Sequence, residues 1–176
     1  AKHLSGVTLE LGGKSPVLVD ESANISEAAW KLAFYKFANA GQTCTAPDYI
    51  LCHESKKDVL VSGLKENFKN FFDGKNDGPS SDYCQIVNET HFDRIKGYLD
   101  DAKKLGATVA VGGSADRNNR FIAPTVLCDV SLDSLVMNEE IFGPLMPIIS
   151  YKNLDEAISF INKRDKPLAL YLFSYN

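Results

Sequence analysis

The chain has no block of like charge and no long apolar run. Its 176 residues carry a formal net charge of −4 at a pI near 5.4, and the lysine pairs at 56–57 and 103–104 are isolated. We therefore expect no nucleic acid and no membrane contact for this segment. No apolar stretch approaches the ~20 residues that span a bilayer, and the first ten residues lack a signal-peptide core. A cytoplasmic protein is expected, although a segment outside this chain could attach it to a membrane.

Metal-ligand spacing is also missing. The four cysteines (Cys44, Cys52, Cys84 and Cys128) form no CxxC pair, and the three histidines are scattered along the chain. We therefore expect no metal site. Four thiols could form two disulfides, but a chain of this length can build a core without them. Reduced thiols in a cytosol-like compartment fit the pattern better.

The usual glycine-rich nucleotide motifs are absent. No GxGxxG occurs, so the common dinucleotide fingerprint is missing. The segment 12–15 (GGKS) superficially resembles a phosphate-binding loop, but Thr8 stands where that loop requires its first glycine. Pro16 then leads into a predicted strand where the loop requires a helix. A nucleoside triphosphate site is excluded.

Strand-like and helix-like segments alternate along the chain. Hydrophobic patterns predict strands at 7–11, 16–19, 49–52, 108–111, 147–151 and 168–173, and an extended segment at 121–128 that Pro124 interrupts. Helical spacing predicts helices at 26–39, 55–74 (with Ser55 as N-cap), about 92–106 and 154–161, and the polar run 76–82 predicts a loop. Connections too long for hairpins favour one α/β domain over residues 1–176, with a largely parallel sheet and helices on both faces. Both chain ends run through predicted structure, so we expect a fragment of a longer polypeptide.

One cysteine lies in a turn suited to chemistry. Cys44 follows an apolar helix that is predicted to stop at Gly41, and Thr and Pro residues surround it. Free backbone N–H groups in such a turn can stabilise a thiolate or an oxyanion. A free cysteine by itself is more often a small buried hydrophobe, and Cys44 alone favours that interpretation.

Two acidic segments add to the evidence that Cys44 has a chemical role. Glu10 is predicted at a strand end beside the Gly12 turn, and the alternation of 7–11 slightly favours an outward-facing surface residue. The other interpretation is a general base whose pKa would be raised by partial burial. The segment 139–144 (EEIFGP) places two carboxylates beside Phe142. It is either a solvated pair with Phe142 filling the core, or a site where a carboxylate accepts hydrogen bonds from a sugar diol and the ring packs on a flat ligand.

Taken together, the three segments resemble the aldehyde dehydrogenase superfamily. Residues 9–16 (LELGGKSP) resemble its glutamate signature, 41–44 (GQTC) its cysteine signature and 139–144 its cofactor-ribose motif, in the same order and at similar separations. The segments 46–49 (APDY) and 166–171 (KPLALY) are most similar to the class 3 and fatty aldehyde dehydrogenase branch. The resemblance runs from end to end of the chain.

The resemblance implies a chemical role for each matched residue. Cys44 would attack an aldehyde to give a thiohemiacetal and then, after hydride transfer to NAD or NADP, a thioester that Glu10 hydrolyses by activating water. The backbone N–H of Cys44 would form half of the oxyanion hole. Glu140 would hold the nicotinamide ribose, Phe142 would pack near the nicotinamide, and Leu11 and Gly12 would border the cofactor. The parent enzyme would be a homodimer that oxidises a medium- to long-chain aliphatic or aromatic aldehyde.

Parts of the family pattern have no counterpart in this sequence. The asparagine that completes the oxyanion hole, the dinucleotide-binding domain and the oligomerisation arm would all lie outside this chain. We therefore expect a catalytic domain that is inactive alone. A catalytically silent folding or assembly domain is one alternative. A cofactor-free thiol esterase is another, but the sequence places no histidine near Cys44.

Overall fold

A computed structural model describes residues 6–71 and 82–175 of the chain. Eight strands and five α-helices follow one another in the described ranges. Their bounds are β1 Pro16–Val19, α1 Ile25–Phe37, β2 Tyr49–His53, α2 Lys57–Phe71, α3 Glu89–Lys104, β3 Thr108–Val111, β4 Ala115–Asp116, β5 Phe121–Ile122, β6 Thr125–Cys128, α4 Leu135–Asn138, β7 Leu145–Tyr151, α5 Leu154–Asn162 and β8 Tyr171–Phe173. Short 3₁₀ turns occupy Ala38–Gly41 and Glu54–Lys56.

Six of the strands form one sheet in the order β3-β6-β7-β2-β1-β8. All neighbours are parallel except β3 and β6, which pair antiparallel at one edge. Successive residues of β1 face opposite sides: Val17 belongs to one hydrophobic core and Leu18 to the other. Such strands are apolar throughout because both of their faces are covered. The predicted α/β class with a largely parallel sheet is confirmed.

Helices cover both faces of this sheet. On one face α1 and α2 pack against it, and Phe37 of α1 meets Phe68 of α2 with ring centroids 4.8 Å apart. On the other face α3, α4 and α5 contribute buried residues to the second core, including Ile95 and Met137. The sheet therefore holds the loops at its ends between two packed layers, and the candidate site residues lie on those loops.

Asparagine side chains set the starts of three helices. Asn24, Asn88 and Asn153 each accept a hydrogen bond from a backbone N–H in the first turn of α1, α3 and α5. The prediction that Ser55 caps the second helix is wrong: a 3₁₀ turn capped by His53 precedes α2. The predicted end of that helix at Gly74 and most of the predicted 76–82 loop lie outside the described residues.

Three further differences separate prediction and structure. The strand predicted at 7–11 is absent: the segment is irregular, and its apolar side chains, led by Leu9 at 72% exposure, stay in contact with solvent. The last strand begins at Tyr171, three residues later than expected, and the short helix α4 was not anticipated. Within the described ranges, no helix is long and apolar enough to cross a membrane.

Candidate active site

The turn that carries Cys44 begins with a left-handed run of backbone. After α1 ends at Phe37, Asn39, Ala40 and Gly41 have φ values of +53°, +53° and +71°. This conformation costs free energy for a residue with a Cβ, so the alanine stores strain that the surrounding packing must offset. At Gly41 a Cβ would lie 2.3 Å from the carbonyl oxygen of Gly143, so only glycine allows this approach.

Cys44 lies at the second position of a tight turn, 43–46. The N–H of Ala46 donates to the carbonyl of Thr43 at 2.9 Å, and the Cys44 side chain is half-buried. Burial raises the pKa of the Cys52 thiol to about 12, and burial likewise raises the pKa of Cys128, so both stay protonated near neutral pH. Cys84 is exposed. Cys44 therefore differs from both buried thiols in accessibility, as its turn predicted.

The neighbouring Gln42 fixes this turn to the rest of the fold. Its side-chain N–H₂ donates to the carbonyls of Asn39 and Gln85, both at 3.1 Å. Its side-chain oxygen accepts from the N–H of Val87 at 2.9 Å. Sequence reasoning did not single out Gln42 as a positioning group, and its place beside Cys44 is the one signal that could have done so.

Glu10 is placed differently from what we expected. It lies in an irregular segment and not at the end of a strand. Its side chain is exposed, which agrees with the outward-facing alternative and not with partial burial. Leu11 is also exposed, at 61%. The predicted strand end at Glu10 is wrong: residues 7–11 form no strand and pair with none of the described strands.

Gly12 and Glu140 lie in direct contact. A Cβ built on Gly12 would sit 2.6 Å from each carboxylate oxygen of Glu140, closer than real Cβ contacts allow. The absence of a side chain at Gly12 therefore leaves room for the carboxylate. The structure thus brings together one residue from the 9–16 segment and one from the 139–144 segment, 128 positions apart in the chain.

A buried ion pair connects all three sequence segments. Lys14 pairs with Asp48, which follows the cysteine turn, and also donates to the carbonyls of Val136 and Glu139 at 2.9 and 2.8 Å. The second oxygen of Asp48 accepts from the N–H of Ile141 at 2.9 Å. Burial lowers the pKa of Lys14, and the neighbouring Asp48 carboxylate opposes that shift. Neither Lys14 nor Asp48 was predicted as a site residue.

Phe142 does not fill the core. Its backbone has a φ of +43° and its side chain is 37% exposed, whereas the preceding Ile141 is fully buried. A left-handed conformation at a bulky residue is unusual and is kept only where the surroundings enforce it. The loop therefore buries Ile141 and turns the Phe142 ring outward, where it can contact a flat ligand.

Two clefts border this loop. One has a volume of about 370 Å³ and is lined by charged and polar residues, which include Lys14, Glu140 and Arg164. The other has a volume of about 540 Å³ and is lined by Asn39, Gln42, 84–85, Val87 and Phe142. The carboxylate in the first cleft can accept hydrogen bonds from a diol, and the aromatic ring in the second can pack on a flat ring.

Comparisons with known proteins agree with this arrangement. The profile of the "Aldehyde dehydrogenase family" matches residues 1–176. The chain is 53% identical over 176 residues to the rat "Aldehyde dehydrogenase, dimeric NADP-preferring", covering all of this chain and 38% of that protein. It is 52% identical over 174 residues to the 4,4'-diaponeurosporen-aldehyde dehydrogenase of Staphylococcus aureus, covering 99% of this chain and 37% of that protein.

Solved structures of dehydrogenases are also similar to this chain. A substrate-bound Staphylococcus aureus AldH superposes with a TM-score of 0.92 at 51% identity, covering 99% of this chain and 37% of that one. An NADP complex of the NADP-dependent glyceraldehyde-3-phosphate dehydrogenase of Bacillus halodurans gives 0.85 at 34% identity, covering 95% of this chain and 34% of that one. The chain thus spans 35–38% of the length of the curated relatives it matches.

Proposed function

The chain belongs to the aldehyde dehydrogenase family, and we propose that it supplies the catalytic thiol and the water-activating carboxylate of an enzyme that oxidises an aldehyde to a carboxylic acid with NAD⁺ or NADP⁺. The observation that carries this proposal is the accessible Cys44 turn, held by Gly41 against the loop that presents Glu140 and Phe142. A medium- to long-chain aliphatic or aromatic aldehyde is the proposed substrate class.

In the first half of the reaction Cys44 is the nucleophile. Its thiolate forms a bond to the aldehyde carbon, and the carbonyl electron pair moves to oxygen to give a tetrahedral thiohemiacetal. The backbone N–H of Cys44 donates to that oxygen as half of an oxyanion hole. The asparagine of the family pattern would supply the other half from outside this chain. Collapse of the thiohemiacetal, with loss of hydride, leaves an acyl group on the Cys44 sulfur.

In the second half Glu10 acts as the general base. Its carboxylate takes a proton from water as the water oxygen adds to the thioester carbon, and the Cys44 sulfur then leaves with the electron pair of the broken C–S bond. The released product is the carboxylic acid. The exposure of Glu10 in the described chain implies that other parts of the enzyme must help to position it.

The residues present fit the ribose and nicotinamide end of a dinucleotide. The Glu140 carboxylate can accept hydrogen bonds from a ribose diol because Gly12 leaves space beside it, and the outward Phe142 ring can pack near the nicotinamide. Leu11 would border the same ligand. The bound cofactor supplies the hydride acceptor, and its phosphates would be held mainly by a domain outside residues 1–176.

The wider organisation is also a proposal. Residues 1–176 would form the catalytic domain, and the dinucleotide-binding domain and the oligomerisation arm would lie elsewhere in the protein. The name of the rat relative, dimeric and NADP-preferring, supports a homodimer and the use of NADP alongside NAD. A cytoplasmic location, with no membrane or nucleic-acid contact by this segment, completes the proposal.

Trapping of the acyl intermediate tests both catalytic roles. In the full-length protein that contains this chain, Glu10→Gln should accumulate a covalent acyl adduct on Cys44 when aldehyde and cofactor are supplied, because thioester hydrolysis loses its base. Intact-mass spectrometry detects the adduct, and Cys44→Ala should abolish it. Glu21→Gln, which changes an exposed carboxylate outside the proposed chemistry, is the control. Unchanged turnover without an adduct in Glu10→Gln would refute the role of Glu10.

A further inference from the structure

Two backbone carbonyls of the 139–144 loop accept hydrogen bonds from an arginine on helix α3. Arg94, in the second turn of α3, donates from Nη1 to the carbonyl of Glu140 at 3.0 Å and from Nη2 to the carbonyl of Ile141 at 2.9 Å. The guanidinium lies over the ring of Tyr98, one helical turn further on, at 5.1 Å from the ring centroid. The guanidinium therefore acts as a fork that binds two consecutive carbonyls, one on each side of the Ile141 Cα atom.

Two consecutive carbonyls can meet one planar cation only where the backbone turns. Consecutive residues of an extended segment face opposite sides, so both oxygens would not reach the same fork. In the 139–144 loop the backbone turns at Ile141, so that both carbonyls face Arg94. The next residue, Phe142, has a φ of +43°. The fork thus stabilises the turn that separates the inward Ile141 from the outward Phe142, and that directs Glu140 to Gly12.

Arg94 is partly buried, so its two hydrogen bonds must compensate for the loss of hydration of the cation. Its Nε is buried and has no hydrogen-bond partner among the described residues. The two carbonyls and the Tyr98 ring are therefore the contacts that compensate for removing the cation from water. Lys14 and Asp48 hold other groups of the same loop, namely the carbonyl of Glu139 and the N–H of Ile141. Arg94 adds the contacts to the two carbonyls that follow.

We propose that Arg94 is a positioning residue for cofactor binding: without touching the cofactor, it fixes the loop that presents Glu140 and Phe142 to the ribose and nicotinamide. This inference rests on the proposed function. It assigns a role to a side chain 46 positions away from Glu140 in sequence. The role concerns the cofactor half of the site, so it leaves acyl transfer to Cys44 independent of Arg94.

The test compares two activities of the full-length protein. Aldehyde oxidation needs the cofactor. Hydrolysis of p-nitrophenyl acetate without cofactor needs only acyl transfer to Cys44, with p-nitrophenolate leaving, and attack of water on the thioester. Arg94→Met should raise the KM and the calorimetric Kd for NAD⁺ or NADP⁺ about tenfold or more, the usual effect of losing hydrogen bonds from a charged group. Ester hydrolysis should stay within about twofold of wild type, because Arg94 binds the loop at Glu140 and Ile141, whereas the loop meets the Cys44 turn at Gly143.

Two further variants make the result specific. Arg94→Lys keeps the charge but loses the fork, so its cofactor Kd should lie between those of wild type and Arg94→Met. Arg117→Met is the control. Arg117 is an exposed arginine outside α3 that pairs with Asp93 and Glu89 of α3, and its loss should leave both activities unchanged.

The possible failures are distinguishable. Arg94 variants with a wild-type cofactor Kd, or with equal losses of oxidation and ester hydrolysis, would overturn the positioning role while the proposed function stands. A wild-type protein that binds NAD⁺ or NADP⁺ but oxidises no aldehyde would overturn the proposed function, and the Kd values would still decide the role of Arg94. A wild-type protein that binds neither cofactor would overturn both.

Discussion

A buried lysine near the end of α1 offers a direct test of what a buried charge costs in folding free energy. Lys36 lies in the last turn of α1 and is 1% exposed. Burial lowers the pKa of its ammonium group from 10.5 to about 8; Asp48 opposes the shift and Lys14 adds to it. The fold therefore carries the cost of a buried charge near neutral pH. Replacing Lys36 with methionine keeps a long unbranched chain and removes that charge.

The size and sign of the effect follow from the pKa. A shift from 10.5 to about 8 corresponds to about 3 kcal/mol of unfavourable free energy. Between these two pH values the unfolded chain binds a proton that the folded chain does not, so wild-type stability should rise with pH across this window. Below about pH 8 both states are charged and the full cost is present. Lys36→Met should therefore be more stable than wild type at pH 7, by up to about 3 kcal/mol, or roughly 6–12 °C in Tm.

Urea unfolding of this chain at pH 7, 8.5 and 10 measures the effect. The advantage of Lys36→Met should shrink as the pH rises, because neutralising Lys36 removes the cost in wild type. Lys31→Met on the same helix is the matched control. The Lys31 side chain is 43% exposed and pairs with Glu27 one turn away, so its loss should change stability little at any pH. A destabilised Lys36→Met, or an advantage that does not change with pH, would refute the reasoning.

Two other predictions concern the cofactor. Gly12→Ala places a methyl group 2.6 Å from the Glu140 carboxylate, which must then move away from the ribose. In the full-length protein the KM for NAD⁺ or NADP⁺ should rise about tenfold or more, while ester hydrolysis by Cys44 persists. An unchanged KM would contradict the proposed contact. The chain of residues 1–176 alone should fold around its two cores but oxidise no aldehyde, because it lacks a phosphate-binding fingerprint. Calorimetric titration with both cofactors, followed by an assay with a long-chain aldehyde, checks this, and micromolar binding would show it to be wrong.

The fold was largely predictable because its pattern is local. The strands at 16–19 and 49–53 are short apolar runs without alternation, as sheets covered on both faces require, and the helices show apolar positions at helical spacing. The strand prediction at 7–11 was wrong because strand formation there depends on a non-local contact. Its residues alternate as in a half-buried strand, but a strand also needs a neighbour, and no local pattern reveals whether one exists.

The site was predictable only in part, for a related reason. Cys44 and the 139–144 loop stand out by composition, whereas their proximity depends on the tertiary fold. The side chains that assemble the loop, such as Asp48 and Arg94, act mainly on backbone groups more than 40 positions away. A hydrogen bond to a backbone group demands no particular residue type at the other end, so it leaves no paired signal in a single sequence.

The two proposed catalytic side chains differ in how completely this chain fixes them. Cys44 lies in a hydrogen-bonded turn, anchored through Gln42 and through the contact of Gly41 with Gly143. Glu10 lies among Val7, Leu9 and Leu11, whose side chains are 61–72% exposed. An uncovered apolar stretch of this kind gains free energy when another surface packs on it. Covering that stretch would also restrict Glu10. The nucleophile is thus positioned by the residues described, while the position of the general base depends on whatever packs on 7–11. The rest of the protein should therefore matter more for placing Glu10 than for placing Cys44.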